Sequence, residues 1–192
     1  MELKDGKKAV QAKSRKEWRK WLEKNHMKNE SIWLIIYHEN SSNQSVRINE
    51  AMEEALCFGW IDSKAKKRDY ESFYLTFSPR NPKSKWSNIN RERAERMIEQ
   101  GLMTESGQEM INLAKLTGTW DALRDIENLV IPDDLQRLFD KNEIAFRNFN
   151  SFSPSSKRMI LGWIHNAKKH DTRQTRIEET VRLATDNIKA NQ

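Results

Sequence analysis

The sequence predicts an α+β protein: a small antiparallel sheet of about three strands within residues 31–78, packed with helices, then an all-helical C-terminal half. Three observations carry this. SIWLIIYHE (31–39) is aromatic and β-branched and apolar on both parities, the pattern of a buried strand. WIDSKAKKR and SFYLTFS each alternate with period two and are separated by DYE, which reads as an antiparallel hairpin. From Ser87 onward apolar residues recur at helical spacing to the end of the chain.

Residues 1–13 are polar and aperiodic and read as a flexible N-terminal tail. SRKEWRKWLEKNH opens with a Ser14/Glu17 capping box, and Trp18, Trp21 and Leu22 follow on one helical face. In NEAMEEALCF, Asn49 is the expected cap, Met52, Ala55 and Leu56 share a face, and Gly59 ends the helix. In the hairpin, Ile61, Ser63 and Ala65 share one parity, while Asp62, Lys64, Lys66 and Arg68 share the other. Phe73, Leu75 and Phe77 alternate with Tyr74 and Thr76. PRNPKSKWS is a proline-bounded loop.

A helix then runs from Ser87 to about Gln100, stopped by Gly101, and another from Thr104 to about Thr117. Pro132 belongs to the first turn of PDDLQRLF. Ala145, Phe146 and Phe149 mark one further helix, and Met159, Ile160, Trp163, Ile164 and Ala167 another. Thr172 is the expected cap of the last, with Ile177, Val181, Ala184 and Ile188 on one side. The expected division is a tail over 1–13, an α+β core domain over 14–125, and a helical region over 126–192 packed on that core.

Composition narrows the function classes. A single cysteine excludes an intramolecular disulfide, and neither an apolar leader nor a membrane-length apolar run occurs, so the expectation is a soluble cytoplasmic protein. Lys plus Arg (34) exceeds Asp plus Glu (28), a modest lean towards anionic partners, and acidic and basic blocks alternate as on salt-bridged helix surfaces. No phosphate loop, dinucleotide fingerprint or zinc spacing is present, and the reading assigns no cofactor, metal or catalytic residue. Cys57 follows Leu56 at a helix C-terminus, where the dipole disfavours a thiolate, and reads as a core residue.

One constellation has chemical content. Asp62, Lys64, Lys66 and Arg68 project from the hairpin, and the next loop adds Arg80, Lys83, Lys85 and Trp86. Ser87 and Asn90 open a helix whose first amides can receive an anion. The expected ligand-binding set is Trp60, Asp62, Lys64, Arg80, Ser84, Trp86, Ser87 and Asn90. Three functions use it differently: an unidentified anionic ligand or protein partner is bound without catalysis; Asp62 and Arg80 act on a small anionic metabolite beside Trp86; or the basic hairpin face binds nucleic acid. The structural alternative is a solvated strand face with Trp86 packed under its loop.

EEALCFGWIDSKAK, FSPRNPKSKWSNIN, IEQGLMTESG and GTWDAL, followed by IPDDLQRLF, GWIHNAKK and DTRQTRIE, resemble the bacterial YdeI/OmpD-associated family of bacteriocin-protection proteins. The similarity runs from about Trp18 to Ile188, and the residues matching its most characteristic motifs are Glu54, Cys57, Gly59, Trp60, Asp62, Pro79, Arg80, Ser84, Trp86, Ser87 and Asn90. The resemblance implies a bacterial stress-resistance protein linked with tolerance of bacteriocins or cationic antimicrobial peptides, one implied route being contact with an outer-membrane porin. It brings no catalytic activity or cofactor with it.

Overall fold

The computed structural model describes residues 2–28 and 30–191. They divide into two compact units, Met1–Ala122 and Leu123–Gln192. The first is α+β and the second helical, as the sequence predicts.

The sheet is larger than expected. β1 (Glu2–Lys4), β2 (Lys7–Gln11), β3 (Ile32–Tyr37), β4 (Trp60–Lys67) and β5 (Ser72–Pro79) lie in the order β1-β2-β3-β5-β4. The expected antiparallel trio is β3, β5 and β4, with β5 in the middle. β2 adds to it in parallel with β3, so the sheet is mixed. Residues 1–13, expected as a tail, hold the first two strands instead. Their two-residue turn, Asp5-Gly6, has φ of 50° and 72°, the positive-φ pair that a tight hairpin needs. Ion pairs then join the two edges of the sheet: Lys66 Nζ donates to Asp5 at 2.7 Å, and Arg68, just past β4, donates to Glu2 from Nε and Nη2. Trp33, Ile35 and Tyr74 are buried on the face where this hairpin folds over, with Trp33 Nε1 donating to the Lys4 carbonyl at 3.0 Å and Tyr74 donating to Glu2.

The other face carries the main core. α1 (Arg15–Asn25) and α2 (Ile48–Cys57) bury Trp18, Leu22, Ala51 and Ala55 against Leu34, Leu75 and Phe77. α1 starts as expected, Ser14 Oγ accepting from the Glu17 amide, whereas α2 is capped by Arg47 and not by Asn49. Glu54 is 1% exposed and accepts from Arg15 Nε (2.6 Å) and Arg19 Nη1 (2.7 Å), so a buried carboxylate ties the two helices together. α2 ends where Gly59 turns left-handed (φ 72°), and the Cys57 carbonyl accepts from Thr104 N and Oγ1. α3 (Asn88–Glu99) and α4 (Glu105–Leu116) complete this unit. Gly107 of α4 passes so close to α2 that a Cβ would collide with the Cys57 carbonyl. Burial pushes the Cys57 thiol up to about 11, in keeping with a core residue.

In the second unit, α5 (Arg124–Glu127), α6 (Asp133–Phe139), α7 (Glu143–Ser151), α8 (Pro154–His165) and α9 (His170–Thr185) enclose Leu135, Phe139, Phe149, Ile160 and Ile177. Pro132 is the cap preceding α6, not its first residue, and Thr172 lies inside α9, which is capped by Lys169. Arg173 grips Asp134 from Nε (2.6 Å) and Nη2 (2.9 Å), which fixes α9 to α6 and holds the Asp134 carboxyl below the usual range. Among the described residues no helix is long and apolar enough to cross a membrane.

Candidate ligand site

The segment after β5 holds the densest part of the expected site. The Arg80 amide donates to the Gly59 carbonyl at 2.9 Å, fixing the chain as it leaves the sheet. Asn81 then builds a turn, its Oδ1 accepting from the Lys83 amide and its carbonyl from the Ser84 amide. The Trp86 amide donates to the Thr119 carbonyl at 3.0 Å, and Ser87 caps α3 by accepting from the Asn90 amide. Trp86 is buried against Trp120 (ring centroids 4.8 Å apart) in a cluster with Leu56, Ala94 and Ile111.

Arg80 and Trp86 do converge: the guanidinium carbon sits 3.9 Å from the indole centroid. Arg80 Nη2 donates to the Lys85 carbonyl at 2.8 Å and reaches the Ser84 carbonyl at 3.5 Å. Its Nε is buried without a hydrogen-bond partner, although the residue is only 6% exposed. Among the described residues no carboxylate lies within ion-pair distance of this guanidinium, and burial pushes it down to about 10. A buried cation whose Nε–H has no acceptor is costly in isolation.

The rest of the expected set is dispersed. Asp62 pairs with Phe77 and Lys66 with Tyr74, and the register shifts between Asp62 and Ala65. Because Phe77 and Tyr74 face opposite sides of β5, this β-bulge places Asp62 and Lys66 on opposite faces, so the comb of four polar residues does not form. Asp62 is half-buried, and its carboxylate makes no hydrogen bond or ion pair among the described residues. Lys64 is exposed in the irregular stretch. Lys66 and Arg68 are committed to Asp5 and Glu2, which removes two cations from the basic face proposed for nucleic acid. Asn90 Oδ1 accepts from Arg93 Nη1 at 3.2 Å.

Trp60 belongs elsewhere. Its Nε1 donates to the His26 carbonyl at 3.0 Å, and its ring lines a cavity of about 530 Å³ with Trp21, Val10 and Ile32. The sequence reading assigned Trp21 to the helix core and the Val10 strand to a tail, so this cavity was missed; its signal was an Asp-Gly turn that brings Lys8–Val10 beside Ile32.

Residues 128–187 match the family described as bacteriocin-protection, YdeI or OmpD-associated, so the expected resemblance holds for the helical unit. EEALCFGWIDSKAK, FSPRNPKSKWSNIN and IEQGLMTESG instead fall within residues 10–110, which match a different family. No curated protein and no solved structure matches the chain. By the match over residues 10–110, more than half its length, the chain belongs to the family described as a domain of unknown function (DUF8412).

Proposed function

We propose that this is a non-catalytic, cytoplasmic bacterial stress-resistance protein of the YdeI/OmpD-associated kind. Its N-terminal unit binds an anionic ligand, or an acidic group on a protein partner, at the Arg80–Ser87 segment. One observation carries the reading: Arg80 is buried on Trp86 with its Nε unpartnered and, among the described residues, no carboxylate within ion-pair distance. An incoming phosphate or carboxylate would supply the missing acceptor and counter-charge together. The start of α3 directly follows the loop and adds a favourable dipole for negative charge. The match of residues 128–187 to a bacteriocin-protection family supports the resistance role.

The test has two arms. Inorganic phosphate, titrated at constant ionic strength, is expected to change tryptophan fluorescence saturably in the wild-type chain and not in Arg80→Met. In bacterial cells challenged with a cationic antimicrobial peptide, the wild-type chain is expected to raise survival and Arg80→Met to lose that gain. Equal behaviour of both chains in both arms overturns the proposal.

A further inference from the structure

The Trp21/Trp60 cavity is separate in sequence and chemistry from the Arg80 loop. Its volume of about 530 Å³ lies in the range of small-molecule sites. Three strands, α1 and the segment that follows α1 build it. β2 supplies Val10 and Lys8, β3 supplies Ile32, the start of β4 supplies Trp60, and α1 supplies Trp21.

The walls are aromatic in a specific way. Trp21 stacks on Trp18 with centroids 5.1 Å apart and planes 11° from parallel. It meets Trp60 at 82° with centroids 5.9 Å apart, so two indole planes form a corner. Trp60 is only 2% exposed, so a planar ring entering the cavity meets chiefly Trp21, face to face or edge to face, the two arrangements that aromatic quadrupoles favour. The indole N–H groups of Trp18 and Trp60 are taken by the Ala51 and His26 carbonyls, whereas that of Trp21 has no protein acceptor among the described residues. Trp21 is also the half-exposed member of the three.

The rim is basic. Among the described residues, Lys8 and Lys28 line the cavity with a single carboxylate, Glu30, and the amide of Asn25. Glu30 holds Lys8 only loosely, at 3.8 Å with both side chains more than half exposed, and Lys28 donates to Asn25 Oδ1 at 2.8 Å. One acid against two ammonium groups leaves one positive charge at the mouth of an aromatic pocket.

We propose that this cavity binds a small planar aromatic monoanion, a carboxylate or sulfonate whose ring packs on Trp21 while its charge meets Lys8 and Lys28. The site does not depend on the Arg80 reading.

The test uses 8-anilinonaphthalene-1-sulfonate with the full chain, and N-phenyl-1-naphthylamine as the same ring system without the charge. The anionic dye is expected to bind with one site per chain and about tenfold more tightly than the neutral one. The double variant Lys8→Glu/Lys28→Glu, whose side chains are solvated, should weaken the anion by about tenfold and leave the neutral dye unchanged. Trp21→Leu, with folding checked by circular dichroism, should weaken both. Arg80→Met should bind both dyes as the wild type does, so this site and the Arg80 site can fail separately. Equal affinity for the two dyes, multiple bound dyes per chain, or no effect of the lysine reversals overturns the proposal.

Discussion

Replacing Arg80 with methionine separates a guanidinium kept for packing from one kept for a ligand. Its ordinary value of 12.5 falls to about 10, which corresponds to about 3 kcal/mol against the buried charged form. Since the folded-state value is the lower one, this cost is complete below pH 10, fades as pH rises above it, and is therefore measured in full at pH 7. Against it stand the hydrogen bond to the Lys85 carbonyl, worth about 2 kcal/mol for a charged donor. Stacking on Trp86 contributes a further ~1–2 kcal/mol. Methionine keeps much of the apolar contact and removes both the charge and the unpartnered Nε. The opposing contributions nearly cancel, so urea denaturation at pH 7 should show a stability change within about 1 kcal/mol in either direction. A loss of about 3–5 kcal/mol is the usual result of breaking a satisfied buried ion pair and is not expected here. It would show that the fold itself compensates the guanidinium.

Three other perturbations follow from the same structure. Glu54→Gln removes the charge that two arginines grip at 2.6 and 2.7 Å, and should lower stability by about 3 kcal/mol in urea denaturation. Asp134 is held below the usual carboxylate range by its hydrogen bond with Arg173, so its contribution is full above about pH 5 and lost as pH falls through the depressed folded value. Asp134→Asn should accordingly flatten the acid limb of the stability profile, with the difference from wild type disappearing at the lowest pH. Cys57, its thiol pushed up to about 11 by burial, should react with a thiol reagent at pH 8 at least ~100-fold more slowly in the native chain than in urea.

Much of the scaffold is legible in sequence. The Trp18/Leu22 face of α1, the apolar β3 and the hairpin that follows α2 all appear where their periodicity puts them, because local pattern and burial agree. The N-terminal strands were also signalled, by Asp5-Gly6, but their short and polar flanks hide the pairing. The parallel contact of β2 with β3 is non-local and leaves no local trace. The bulge between Asp62 and Ala65 shows why the polar comb failed. An alternating pattern assumes unbroken register, and one irregularity reverses every later side chain.

The candidate site is half legible for a related reason. Arg80 and Trp86 lie close in sequence and a turn brings them together, so their stacking was foreseeable. The unpartnered Nε and the missing counter-charge depend on what distant segments supply, and spacing does not encode that. Trp21 shows the opposite error. Its helical spacing reads as core, and only the tertiary approach of β2 and β4 gives it a cavity to line.

The most direct measurement follows the Arg80 Nε–H itself, by 15N–1H NMR of the arginine side chains during titration with inorganic phosphate at constant ionic strength. Arg15 and Arg173 serve as internal controls, because their Nε groups already donate to Glu54 and Asp134 at 2.6 Å. A saturable shift of the Arg80 signal is expected, with the two controls unmoved. An unmoved Arg80 signal, or a common unsaturating drift of all three, would mean that Arg80 does not bind the anion.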